Sequence, residues 1–102
     1  MEVYMKKNIN RQRNDEMYEA ILKLKTVDEC IKFFDDLCSV SEIRAMEQRF
    51  QVAQLLNQGM IYSDIQEITG ASSATISRVN RSLQYGADGY EIVFGRKEPE
   101  KE

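Results

Sequence analysis

The chain has 102 residues, a formal net charge of −3 and a sequence pI near 5.1. It contains no histidine, so it lacks the commonest metal ligand and the usual general base near neutral pH. It also carries no glycine-rich phosphate loop, and we therefore expect no enzyme activity, no cofactor and no metal. No run approaches about 18 uninterrupted apolar residues and the first residues are polar, so we expect a cytoplasmic protein without a membrane segment.

Apolar residues recur with the period of an α-helix, and no long stretch alternates as a strand would. The sequence therefore predicts an all-α fold with five helices and a short sixth. In chain order the expected helices cover residues 10–25, 26–38, 41–58, 62–69, 73–84 and 89–95. We expect one domain over residues 1–96, followed by a charged tail, residues 97–102, that frays.

Several helix starts are predicted from residues that can cap them. Thr26 or Asp28 opens the second helix, and Asp88 can cap the short last one. Ser41 is expected to cap the third helix. Because Arg44, and not an acid, lies three residues later, no capping box is expected there.

Cys30 and Cys38 both fall on the predicted second helix. Eight residues of helix correspond to a rise of about 12 Å, which is too long for a disulfide and unsuited to a zinc pair. We expect both cysteines to be small buried apolar residues in a reducing compartment.

Residues 62–79 form the most informative segment, in which Gly70 separates two short helices. Gly70 lies where a tight turn calls for a positive φ, and Ser72 or Ser73 can then cap the second helix. Apolar residues on the two helices are spaced to pack on one another: Ile65 and Ile68 on the first, and Ile76, Val79 and Leu83 on the second. A helix-turn-helix over about residues 62–84 would insert its second helix into a DNA major groove; the plainer interpretation is a helical hairpin.

The composition of the second helix favours DNA. Between Gly70 and Gly86 there is no Asp or Glu, whereas Arg78 and Arg81 are present. Small side chains let a helix approach the bases, hydroxyls can bond base edges or phosphates, and arginines can bind guanine. The acidic pI argues against nucleic-acid binding, but the acids are concentrated in the first forty residues and in the tail. Screening over about 8 Å lets the local basic surface dominate close contact, so we expect double-stranded DNA as the partner.

Two stretches resemble a known family. Residues 70–78 read Gly-Ala-Ser-Ser-Ala-Thr-Ile-Ser-Arg, which is similar to the recognition element Gly-Ala-x-x-Ala-Thr-Ile-x-Arg of the Trp repressor. Residues 33–43 look still more like the YerC/YecD-type branch of Trp-repressor-related proteins, and the resemblance covers roughly residues 12–95. It implies an all-α, intertwined homodimer in which the first, third and last helices wrap around the partner, and a second reader helix that enters the major groove.

The resemblance also assigns a set of DNA-facing positions. Ser73, Ala74 and Thr75 match base-facing residues of the repressor, and Ser63 matches a basic residue on its first reader helix. Together with the outward positions of the second helix, the expected DNA-binding set is Ser63, Ser72, Ser73, Ala74, Thr75, Ser77, Arg78 and Arg81.

The family's corepressor site is matched in part. Arg49 and Arg78 match the two arginines that hold the corepressor carboxylate, but Val79 stands where the repressor has glycine. A β-branched side chain there would fill or crowd the pocket, so we expect a vestigial pocket without tryptophan dependence, which argues against a small-molecule effector. The two arginines would then contact phosphates or pair with Glu47 or Glu42.

Two hypotheses about function remain. The first is a sequence-specific, DNA-binding transcriptional regulator, foremost a repressor, that acts as a homodimer without tryptophan. The second is a helical protein-interaction module that kept the scaffold but does not bind DNA. The acidic pI favours the second hypothesis, and the acid-free second helix favours the first.

Overall fold

The computed structural model describes residues 11–96, and within that range it contains six helices and no strand, which confirms the all-α fold class. The helices are α1 (Asp15–Ile21), α2 (Val27–Leu37), α3 (Val40–Asn57), α4 (Tyr62–Thr69), α5 (Ser73–Tyr85) and α6 (Gly89–Gly95). The expected tail, residues 97–102, and the first ten residues of the expected domain lie outside the described residues. Over residues 11–96, no helix is both long and apolar enough to span a bilayer.

The first helix is shorter than predicted at both ends. Asn14 caps it, since its side chain accepts a hydrogen bond from the backbone N–H of Glu16 over 2.9 Å. After Ile21 the chain tightens: the N–H groups of Lys23 and Leu24 bond carbonyls only three residues back, at 3.0 and 3.1 Å. The predicted span of residues 10–25 was therefore wrong, because apolar spacing alone does not register a cap or a final tight turn.

The third helix is capped two residues earlier than predicted, at a capping box. Ser39 Oγ accepts from the N–H of Glu42 at 3.2 Å, and the Glu42 carboxylate accepts from the N–H of Ser39 at 2.8 Å. The Ser39 backbone N–H first, and its hydroxyl second, lower the pKa of Glu42. The prediction that Ser41 caps α3 without a box was wrong, because the Ser-x-x-Glu signature lies two residues upstream.

Residues 11–48 form a compact unit of their own, which we call the amino-terminal unit. Thr26 caps α2 by accepting a hydrogen bond from the N–H of Glu29, so of the two predicted caps, Thr26 and Asp28, the first is confirmed. No residue of this unit is buried, and Leu22 and Val27 are 85% and 76% exposed. Cys30 is also exposed, so its expected burial was wrong, whereas Cys38 is half-buried; both are free thiols.

The described residues from 49 to 96 form a second unit, the carboxy-terminal unit, and it contains the core. The buried apolar side chains come from the end of α3, from α4, from the turn and from α5: Val52, Ala53, Ile65, Ala71, Ile76 and Val79. Leu83, which was predicted to pack with them, is half-buried against this cluster. The helix-turn-helix therefore rests on the one apolar core that the described residues form.

Ile68 does not join that core, contrary to prediction, and its side chain is 55% exposed. On a helix, the residue four positions after Ile65 lies closer to its direction than the residue three positions after it. Thr69, at that fourth position, is accordingly the half-buried one. Ile68 lies at the side of α4.

The last helix has the predicted bounds, residues 89–95. It packs on α3 through aromatic rings: the centroids of Phe50 and Phe94 are 5.7 Å apart, and those of Phe50 and Tyr90 are 6.5 Å apart. Tyr90 and Phe94 also pack against the core. Asp88 occupies the N-cap position, as predicted, with φ +70°, but its side chain makes no capping hydrogen bond.

Candidate nucleic-acid interface

The turn between α4 and α5 is fixed by one glycine and one hydroxyl. Gly70 has φ +74°, as its place in the sequence predicted, and its N–H bonds the carbonyl of Gln66 at 2.8 Å. Thr69 Oγ1 donates to the carbonyl of Ile65 at 2.7 Å and accepts from the N–H of Ala71 at 3.1 Å. This role of Thr69 was not predicted, although a hydroxyl residue directly before a C-capping glycine signals such local bonding. The hydroxyl ties the end of α4 to the buried Ala71 and so holds the angle at which α5 leaves.

The first turn of α5 is closed by Ser72, which settles the choice between two predicted caps. Ser72 Oγ accepts from the N–H of Thr75 at 3.1 Å, and its hydroxyl donates to Thr75 Oγ1, also at 3.1 Å. Ser73 is the first helical residue, and its side chain is exposed.

The outer face of α5 is bare within the described chain. At about 100° per residue, Ser73, Ser77, Arg81, Ala74 and Arg78 follow one another around the helix over about 140°. All five are exposed. We call this set the recognition stripe.

The opposite side of α5 is anchored in the core. Ile76 is 0% exposed and Val79 is 3% exposed, and both belong to the buried cluster. Thr75 lies at the edge between the two sides and is half-buried. Of the remaining predicted DNA-facing residues, Ser63 on α4 and Ser72 are exposed. The fold thus brings the predicted positions of α5 onto one free face, with Thr75 at its rim.

The stripe is basic and contains no acid. Its two charged residues are Arg78 and Arg81, whereas Asp64 and Glu67 are exposed on α4. Among residues 11–96, Arg13 pairs with Asp15 and Lys32 pairs with Asp28. Neither Arg49 nor Arg78 forms an ion pair with Glu47 or Glu42 in this part of the chain, so their alternative role, contact with phosphates, stays a prediction. The Glu42 carboxylate is instead held by Ser39 in the α3 capping box.

Arg49 and Arg78 line the same cavity. It has a volume of about 600 Å³, and Val79, Phe50 and Tyr90 contribute to its wall. Val79 is one of the residues that line this cavity, so the expectation that it crowds the space stays a prediction. The two arginines that match the family's carboxylate-binding pair are therefore brought together.

Comparison with known proteins supports the family expected from the sequence. Residues 12–98 match the family described as Trp repressor protein. The chain is 51% identical over 89 residues to the uncharacterised protein YerC of Bacillus subtilis (strain 168), and the alignment covers 86% of each chain. A solved TrpR-like protein from Eubacterium eligens ATCC 27750 is 55% identical, with a TM-score of 0.77, over 80% of this chain and 84% of that one. A candidate Trp repressor from Staphylococcus aureus is 52% identical, also with a TM-score of 0.77, over 80% of this chain and 82% of that one.

Proposed function

Since the chain belongs to the Trp repressor family, we propose that it is a sequence-specific DNA-binding transcriptional regulator, foremost a repressor, which inserts α5 into the major groove. One observation carries the proposal: α5 is anchored by Ile76 and Val79, while its other face is exposed, free of acids and basic. An anchored helix with small outward side chains can approach base edges closely.

The proposed roles of the DNA-facing residues follow from their chemistry and position. Ser73, Ala74 and Thr75 occupy the first turn of α5, the end of a recognition helix that faces the bases. Arg78 and Arg81 lie further along, where a guanidinium group can bond guanine or phosphate. Ser63 on α4 would contact the backbone, since the first helix of such a pair crosses the phosphates.

We further propose that the regulator is a homodimer. Support comes from the amino-terminal unit, which has no buried side chain but exposes Leu22, Val27 and Ile31. Helices as short as α1 and α2 are marginal without tertiary packing, and a second copy would cover their apolar faces. In such a dimer the two copies of α5 should lie about 34 Å apart, one helical turn of DNA.

The proposed regulator acts without tryptophan and works in the cytoplasm. Val79 in place of the family's glycine supports the first statement, because it puts a branched side chain beside the cavity that Arg49 and Arg78 line. The two free thiols suit a reducing compartment, which supports the cytoplasmic location.

We propose one domain over residues 1–96, with residues 97–102 as its tail.

The competing proposal is a protein-interaction module, and the acidic pI near 5.1 favours it.

Selection of duplexes from a random pool by the purified protein distinguishes a DNA-binding regulator from an interaction module. A regulator enriches one site, and its affinity falls with salt at a log–log slope of about −0.9 per neutralised phosphate. Arg81→Gln should reduce that slope by about one contact. Lys32→Gln, which removes the same charge from α2, should leave it unchanged. Failure to enrich any duplex in dilute buffer contradicts the proposal.

A further inference from the structure

Ser72 and Thr75 form a hydroxyl pair at the start of α5. Ser72 Oγ accepts from the Thr75 N–H and gives its own hydrogen to Thr75 Oγ1, each over 3.1 Å. A serine hydroxyl has one hydrogen to give, and a threonine hydroxyl has one hydrogen and two lone pairs. With one lone pair occupied by Ser72, the Thr75 hydroxyl is left to point its hydrogen at an acceptor outside the helix.

The pair lies where the direction of the Thr75 hydroxyl can affect DNA recognition. Thr75 is half-buried at the rim of the recognition stripe, between the anchored Ile76 and the exposed Ala74. Its β-branched side chain has few rotamers on a helix, and the bond from Ser72 favours one of them. A hydroxyl that accepts one hydrogen bond also becomes a stronger donor in the next.

We infer that Ser72 is a positioning residue that makes Thr75 a hydrogen-bond donor, so that α5 selects a base-edge acceptor at the position Thr75 faces. The inference rests on the proposed function. The acceptors available in the major groove are purine N7, guanine O6 and thymine O4, whereas the amino groups of cytosine and adenine are donors. Phosphate oxygens are acceptors as well, and the test separates them from the bases.

The test starts from the duplex that the parent protein selects. Each base acceptor is removed in turn with analogues that lack N7, O6 or O4, and each nearby phosphate is replaced by a methylphosphonate. We expect one base position at which removal weakens the parent about 5- to 150-fold. Thr75→Val, which keeps the shape but removes the hydroxyl, should abolish that difference.

Two variants of Ser72 then test the positioning role. Ser72→Gly removes both hydroxyl bonds at little cost to the cap, so discrimination at that base should fall at least several-fold while the fold is kept. Ser72→Asp keeps a capping acceptor but cannot donate, so Thr75 must give its hydrogen to the carboxylate and the preference should move toward a base amino group. Ser39→Gly, the same change at the cap of α3, is the matched control and should leave discrimination unchanged. Circular dichroism confirms that each variant is folded.

The outcomes separate cleanly. Unchanged discrimination in Ser72→Gly overturns the inference but leaves the proposed function intact. The inference is equally overturned if only a methylphosphonate, and no base analogue, removes the dependence on Thr75. A parent protein that enriches no duplex overturns the proposed function and this inference with it.

Discussion

Truncation of Ile76 tests whether the recognition helix is anchored as described. Ile76 is 0% exposed in the core beneath α5, and Ile76→Ala removes three carbons from it. At about 0.8 kcal/mol per methylene, the lost transfer free energy is about 2.4 kcal/mol. The unfilled space raises the loss to about 3 kcal/mol, within the range of about 2–5 kcal/mol for such truncations.

Ile68→Ala is the matched control for this change. It is the same substitution, also within a helix, so the change in helix propensity is the same, but Ile68 is 55% exposed. We expect a loss of at most about 1 kcal/mol. Urea unfolding followed by circular dichroism measures the loss of stability in both variants. The protein concentrations are kept equal, because the stability of a dimer depends on concentration. Equal losses for the two variants, or a larger loss for Ile68→Ala, would refute the description of the core.

Three further predictions follow from single sites. Gly86→Ala should destabilise the fold by about 1–3 kcal/mol in urea unfolding, because a Cβ there would collide with the backbone carbonyl oxygen of Ser82. Gly89→Ala is the control and should not destabilise the fold, because nothing lies within 4 Å of its new Cβ. The pKa of Glu42 is lowered in the folded protein, so its ionised form adds stability above the usual pKa of 4.5, and this stability is lost as the pH falls through the lower folded pKa. The Glu42→Gln variant should therefore lose less stability between neutral and acid pH than the parent does, as measured by unfolding at both. An identical pH profile for the two proteins would contradict the capping box. Calorimetry with tryptophan should give no heat with the parent, and binding by Val79→Gly alone would identify Val79 as the block; heat with the parent would disprove the predicted independence from tryptophan.

The sequence predicted the helix-turn-helix closely and the first helix less well, for physical reasons. Gly70 and Ser72 are strong local signals, so α4 and α5 begin where they were expected and α5 ends within one residue. The end of α1 depends on i→i+3 bonds that apolar spacing does not encode. The exposure of Cys30 could not be foreseen, because amphipathic spacing predicts a buried face but does not say whether the same chain covers it.

Within the candidate site, residue types predicted the face but not the bonds behind it. The exposed stripe from Ser73 to Arg81 follows from helical periodicity and was predicted. The hydroxyl bonds of Thr69 and Ser72 depend on rotamers, which spacing does not fix, and they became apparent only in the structure. The cavity that Val79 lines likewise depends on how α6 packs, and the identity of the residue at position 79 does not predict that packing.

We propose that the recognition stripe of α5 contacts DNA, and one charge substitution tests this claim most directly. Ser77 lies within the stripe, so Ser77→Glu would place a carboxylate against the phosphates, while Ser41→Glu puts the same group on the exposed first turn of α3. Fluorescence anisotropy with the selected duplex should give more than a tenfold loss of affinity for Ser77→Glu and none for Ser41→Glu, with both proteins folded. Equal affinities for the parent and both variants would contradict the claim.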